Sequence, residues 1–404
     1  MPTSPIVIVG AGHAGAQLCA ALVESGLGPR VHLVCEEEVL AYQRPPLSKS
    51  FLKNTAEVIQ PLKSDAWYQD AGITLYRSDP AVSLSPDGHK LRLKGGTELH
   101  YGQLILATGT RARRLESLPE SLQNVLVLRT AADARSLRER LAQIKKITVL
   151  GGGFIGLEIA ATARDLGLEV EVLESGQRLL ARSVSATVAE HVRATHDANG
   201  VIFKFGVQVG DFDIQGNQLI SMRVDQIAQS VELLVLGIGA VAETQLAQTA
   251  GLAVDNGILV DAAMRTSVPD ILAVGDCANF PAKGAARRLR LESVQNANDQ
   301  ARVAAATLQG LDSSYTSIPW FWSEQGAIRL QMVGLMPDEG IQYQRPGANA
   351  SSFSILHYQG SKLMCVESVN SPMDHMVARK LIGAGIHPEP MRLSDGTQTM
   401  KSFL

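Results

Sequence analysis

The chain has 404 residues, 45% of them hydrophobic and 19% charged, with 36 glycines and a formal net charge of −3. This length suits two or three globular domains, and the charge leaves no global basic field to recruit nucleic acid. The N-terminal MPTSPIVIVG lacks a basic n-region and a cleavable apolar segment, and the longest later run, LLVLGIGAVA, is glycine-broken and too short for a bilayer. No membrane segment and a cytoplasmic enzyme are expected.

In chain order, IVIVG is a short β-branched run of strand type, and AQLCAALVES follows it with helical spacing. RVHLVCE closes a first β-α-β unit at Glu36. The segment AYQRPPLSKSFL is too proline-rich for helix or strand. Residues 73–109 read as short strands with a turn at SPDGHK, ending in the buried-type strand QLILATG. Residues 124–239 hold a second β-α-β unit, ITVLG, LEIAATARDL and EVEVLE, then ISMRVD and VELLVLGIG as later strands. Residues 258–280 return to extended character, and 292–308 read as a helix. Beyond PWFW, short strands alternate up to a final helix, HMVARKLIGAG.

Each β-α-β unit carries a glycine fingerprint: GAGHAG at 10–15 and GGGFIG at 151–156. Gly10 or Gly151 makes the tight turn out of the strand, and Gly12 or Gly153 lets backbone approach a pyrophosphate. Gly15 or Gly156 lets the helix pack close to the sheet. The helix N-terminus then offers unpaired N–H groups and partial positive charge to phosphates. The acidic residue expected about 20 residues on is present twice, as Glu36 and Glu174, where a carboxylate can accept both hydrogen bonds of a ribose diol. Two bound dinucleotides are expected. The four cysteines, Cys19, Cys35, Cys277 and Cys365, form no CxxC or CxxxxC, so neither a redox dithiol nor a metal site is visible.

LILATGTR (104–111) and DILAVGDCA (270–278) resemble the ATG and GD motifs of two-dinucleotide flavoproteins. Bracketing the second fingerprint, they match an FAD domain interrupted by an NAD(P)H domain. YQRPPLSK, LRTAADA, GGGFIGLEIAA, LESVQNA and PWFWSEQ, in this order across essentially the whole chain, resemble the ferredoxin reductase components of bacterial Rieske dioxygenases. They also resemble the putidaredoxin and rubredoxin reductases. The implied fold is α/β and glutathione reductase-like. Two doubly wound Rossmann-like dinucleotide-binding domains, one inserted in the other, precede a C-terminal α+β domain. FAD would belong to residues 1–112 and 240–318, NADH to 113–239, and the tail to 319–404.

The resemblance implies an NADH:ferredoxin oxidoreductase that passes electrons from NADH through FAD to a [2Fe–2S] ferredoxin and so to a terminal aromatic-ring oxygenase. Carried over by motif, FAD contacts fall at Gly10, Gly12, Ala14, Gly15, Glu36, Arg44, Lys49, Ala81, Arg129, Asp276 and Val294. NADH contacts fall at Gly151, Gly153, Ile155, Gly156, Glu158, Glu174, Arg182 and Gly239. Lys49 and Glu158 are expected to pair beside the flavin and tune it. Trp320 and Trp322 are expected to shield the ring or line the exit path. Arg287, Arg288 and Arg290 offer a basic cluster for ferredoxin docking, against an ordinary solvated run. Glutathione reductase-like enzymes place CxxxxC where this chain has RPPLSK, which excludes a dithiol relay. The rival readings are an NADH oxidase and an NADH-sensing flavoprotein resembling apoptosis-inducing factor.

Overall fold

The computed structural model describes residues 4–282 and 287–404, which form two compact units. The first comprises residues 1–43, 59–111 and 241–317, and the second 44–58, 112–240 and 318–404. The proline-rich 44–58 segment and the C-terminal tail thus group with the second fingerprint.

In the first unit, strand Ile6–Val9 lies at the centre of a five-stranded parallel sheet. The order is Ile271–Ala273, Gln103–Leu106, Ile6–Val9, Val31–Val34, Thr74–Tyr76. All four residues of Ile6–Val9 are buried, as a parallel strand covered on both faces must be. Each such Ile or Val contributes roughly 1.5–3 kcal/mol by leaving water. Strand Ile271–Ala273 joins the sheet beside Gln103–Leu106 although the second fingerprint lies between them in sequence. The chain therefore leaves this sheet and returns to it. Helix His13–Glu24 packs along helix Val294–Leu308, which starts two residues later than expected because Ser293 caps it, accepting from Asn296 N.

The second unit repeats the plan. Its parallel order is Val201–Phe205, Glu169–Glu174, Lys146–Leu150, Leu234–Leu236, Val125–Leu126. A five-stranded antiparallel sheet follows, in the order Trp320–Gln325, Ile328–Gly334, Lys362–Val369, Phe353–Gln359, Ile341–Pro346, with helix Pro372–Ala384 against it. The proline-rich segment, expected to be irregular, forms a 3-10 turn at Pro45–Ser48 and a short helix at Ser50–Lys53. Proline at the start of a turn removes a donor that would be unpaired there anyway, so the prolines begin this helical stretch instead of breaking it. Short helical turns at Pro390–Ser394 and Met400–Phe403 lie beyond the last helix expected from sequence. No helix among the described residues is long and apolar enough to cross a membrane.

Candidate dinucleotide sites and a buried carboxylate

The two fingerprint turns share one steric signature. A Cβ at Gly10 would sit 2.3 Å from Ala107 O, and one at Gly15 would sit 2.0 Å from Gly10 O. At Gly151 and Gly156 the corresponding distances are 2.5 Å to Gly237 O and 2.4 Å to Gly151 O. The fold itself requires those glycines. The middle ones differ: a Cβ at Gly12 would meet nothing within 4 Å, and at Gly153 only Gly237 O at 3.8 Å. Each is also the N-cap of its helix without a capping side chain, whereas Ser64, Thr130, Ser185 and Ser293 each cap theirs. An open glycine before uncapped N–H groups leaves a cradle that fits a pyrophosphate, twice.

In the first unit, Gly275 of the GD motif packs against Ala14, whose methyl would be 3.1 Å from its Cβ. Gln300 Oε1 accepts from Gly275 N at 2.7 Å, fixing the turn that carries Asp276. Gly10, Gly12, Ala14, Gly15, Asp276 and Val294 are thus gathered at the helix starts beside the sheet. Glu36 stands two residues past strand Val31–Val34, exposed, and no described residue donates to it. Its neighbour Glu37 is engaged by the Tyr42 hydroxyl at 2.7 Å. Ala81 opens a separate three-stranded sheet.

In the second unit, Glu174 ends its strand facing the glycine loop. It accepts from Gly152 N and from Gly176 N, each at 2.7 Å. With the Ser175 hydroxyl at 3.4 Å as a third donor, the carboxylate still has acceptor capacity to spare. Ile155, in the first helical turn, leaves an apolar side chain 46% exposed at the mouth of the loop. Gly239 lies near the exposed Arg182, whose guanidinium would be 3.9 Å from its Cβ. Arg44 and Arg129 also meet, the Arg44 guanidinium donating to Arg129 O at 2.5 Å.

Glu158 lies in the same fingerprint helix and is only 5% exposed. Its Oε2 accepts from Lys49 Nζ at 2.8 Å and from Ser48 Oγ at 2.5 Å, and its Oε1 from Ser323 Oγ at 2.7 Å. Lys49 also donates to Pro45 O at 3.0 Å. The expected ion pair is present, but the serines around it were not foreseen. Both are ordinary polar residues in sequence, and their only signal is position inside RPPLSK and PWFWSEQ. Lys49, Lys53, Pro45, Pro46, Thr162, Glu324 and Gly326 line an open groove beside the pair.

Trp320 and Trp322 alternate along one strand and stack with ring centres 5.7 Å apart, both half-buried. The Arg379 guanidinium covers Trp320 at 4.2 Å, and the buried His375 meets its ring edge. Two arginines of the cluster offered for docking are bonded to backbone carbonyls. Arg288 donates to Val260 O and to Asn279 O, and Arg290, 11% exposed, holds Asp276 O at 3.1 Å and Glu292 at 2.7 Å. Arg287 and Arg288 are both exposed. All four cysteines are buried and unpaired. Burial pushes the Cys19 thiol up to about 12, Cys35 to about 11, and Cys277 and Cys365 upward as well. No thiolate is available near neutral pH.

Residues 4–301 match the family described as pyridine nucleotide-disulphide oxidoreductase, and residues 320–404 match the family described as reductase C-terminal. Rhodocoxin reductase from Rhodococcus erythropolis is 39% identical, over 96% of this chain and 92% of its own. The ferredoxin–NAD(+) reductase component of the anthranilate 1,2-dioxygenase system of Burkholderia cepacia is 36% identical over the full length of both chains. Among solved structures, the covalent putidaredoxin reductase–putidaredoxin complex superposes with a TM-score of 0.94 at 34% identity, covering 99% of this chain and 98% of that one.

Proposed function

Because the chain belongs to the pyridine nucleotide-disulphide oxidoreductase family, we propose that it is an NADH:ferredoxin oxidoreductase serving an aromatic-ring oxygenase. When bound, FAD and NADH supply the redox chemistry, a hydride passing from nicotinamide to flavin and electrons leaving singly for a [2Fe–2S] ferredoxin. The carrying observation is the doubled turn with an open central glycine, Gly12 in one unit and Gly153 in the other. No cysteine is placed or ionised for a disulfide step.

On this reading the residues bind and orient. The first unit offers FAD the N–H groups after Gly12, the Glu36 carboxylate for ribose, and the Asp276 turn. Ala81 and Val294 remain proposed FAD contacts there, as do Arg44, Lys49 and Arg129 in the second unit. Residues 113–239 offer NADH the N–H groups after Gly153, the Glu174 carboxylate for the adenosine ribose, and Ile155, Arg182 and Gly239. Glu158 accepts from Lys49 and two hydroxyls and is proposed to accept from the nicotinamide carboxamide. Trp320 and Trp322 cover the ring or line the route of the electrons. The cytoplasm is the proposed location.

The test is steady-state NADH turnover with and without a [2Fe–2S] ferredoxin. Ferredoxin-dependent turnover well above the oxygen background supports a reductase. Full turnover on oxygen alone would make the protein an oxidase, and no turnover with either acceptor would make it a sensor.

A further inference from the structure

The two oxygens of Glu158 are served differently. Oε2 accepts from Lys49 and Ser48, while Oε1 accepts from Ser323. Behind Ser323 the bonds continue: Gln325 Nε2 lies 3.1 Å from Ser323 Oγ, and Gln325 Oε1 lies 3.0 Å from His196 Nε2. Ser323, Gln325 and His196 are each no more than 2% exposed, so water does not compete for these groups.

The carboxylate sets the direction of every link. An ionised carboxylate only accepts, so the single Ser323 proton is committed to Glu158. Ser323 Oγ then accepts from Gln325, which turns the amide nitrogen to the serine and the amide oxygen to the imidazole. That oxygen only accepts, so His196 Nε2 carries a hydrogen. Amide orientation and histidine tautomer, ordinarily assigned from surroundings, are here fixed by the anion at the chain's end. Burial also holds the His196 imidazole below its ordinary range, which favours a neutral Nε2–H ring. A carboxamide does not relay protons, so the chain is a row of aligned dipoles that strengthen one another.

We infer that Ser323, Gln325 and His196 are positioning residues that anchor Glu158 through Oε1, so that the carboxylate exchanges Lys49 for nicotinamide through Oε2 alone. The inference rests on the NADH-reductase reading. Ser323 shares a strand with Trp320 and Trp322, so the anchor also ties the nicotinamide-side carboxylate to the tryptophan strand. Thr162, whose hydroxyl donates to Ser48 O at 2.8 Å, steadies the opposite side.

The test uses the FAD-loaded protein and its Ser323→Ala, Ser323→Thr and Gln325→Leu variants. Nitrogen-15 histidine NMR should show His196 as the Nε2–H tautomer in the wild type and a loss of that fixed tautomer in Gln325→Leu. Ser323→Ala should keep FAD but slow stopped-flow flavin reduction by NADH and weaken NAD+ binding, together about tenfold, the effect of one lost hydrogen bond to a charged group. Ser323→Thr, which keeps the hydroxyl, should restore both, and this rescue separates anchoring from packing. An Nδ1–H tautomer in the wild type overturns the chain. Wild-type reduction and binding in Ser323→Ala overturn the anchor while leaving the reductase reading intact. A wild-type flavin that NADH does not reduce overturns that reading, and the anchor's role toward nicotinamide with it. If Ser323→Ala does not fold, the tautomer and Ser323→Thr decide.

Discussion

The Lys49 ammonium lies 2.8 Å from the Glu158 carboxylate, and the carboxylate is the more deeply buried partner, with side chains 5% and 19% exposed. The pair is therefore asymmetric. Lys49→Met strands a buried anion, whereas Glu158→Gln leaves a cation that reaches water and an amide that still accepts. Removing one partner of a buried pair costs roughly 3–5 kcal/mol, with Lys49→Met toward that range and Glu158→Gln well below it. Urea unfolding of both variants checks this, and equal losses would contradict it. Glu158→Ala should also slow stopped-flow reduction by NADH while FAD stays bound; an unchanged rate would remove Glu158 from nicotinamide handling.

Glycine substitutions separate fold from ligand. Gly15→Ala and Gly156→Ala place a methyl against a backbone carbonyl and should abolish folding. Gly12→Ala and Gly153→Ala meet no such obstacle and should fold. Gly12→Ala should purify without FAD, and Gly153→Ala should keep FAD but lose NADH affinity at least about tenfold, or about 1.4 kcal/mol. Circular dichroism with flavin absorbance reads all four. FAD retained at full occupancy by Gly12→Ala would move the flavin phosphates elsewhere.

NADH should be preferred over NADPH by at least about tenfold in catalytic efficiency. Glu174 is held in place by two backbone N–H groups, so it does not swing away from a 2′-phosphate. The neighbouring Arg178 does not neutralise it, because its guanidinium donates to Val184 O and Ala181 O. Equal efficiencies in steady-state kinetics would contradict this, and Glu174→Ser should narrow the gap.

Dithionite titration should consume two electrons per flavin, since every thiol is buried and none is paired. Four electrons would reveal a disulfide and overturn the mechanism. A variant with all four cysteines replaced should keep its FAD and its NADH–ferricyanide activity.

His375 sets an acid sensitivity. Burial, with Arg379 and Arg329 nearby, holds its imidazole down at about 4, against about 6.5 in an unfolded chain. Between these values the unfolded chain binds a proton that the folded one does not. Stability therefore falls as pH drops from about 6.5 to about 4, and the loss levels off below that. The loss should approach about 3 kcal/mol, at about 1.4 kcal/mol per pH unit, and His375→Phe should flatten the urea midpoint across this window. An unchanged slope would show that His375 is not the group responsible.

The fingerprint turns, the parallel sheets and the lack of a cysteine pair were legible in the sequence because their causes are local. A run such as IVIV reads as a buried strand by composition, and Gly10 and Gly15 are required by carbonyls one turn away or in the adjoining strand. The pairing of Lys49 with Glu158 was also foreseen, through family resemblance. The Glu158 shell was not. Ser48 and Ser323 reach it from 110 and 165 residues away, and His196 joins through Gln325 from a different helix. Hydrogen bonds between such distant side chains leave no periodicity, and serine, glutamine and histidine occur everywhere on protein surfaces. The same limit applies to the arginines. A charge run in sequence does not reveal that Arg288 and Arg290 turn inward to carbonyls, since only the folded backbone brings Val260, Asn279 and Asp276 within reach. Local sterics and hydrophobic pattern determined the scaffold and the two nucleotide cradles; which polar groups meet inside it was decided by the tertiary packing that brings distant segments together.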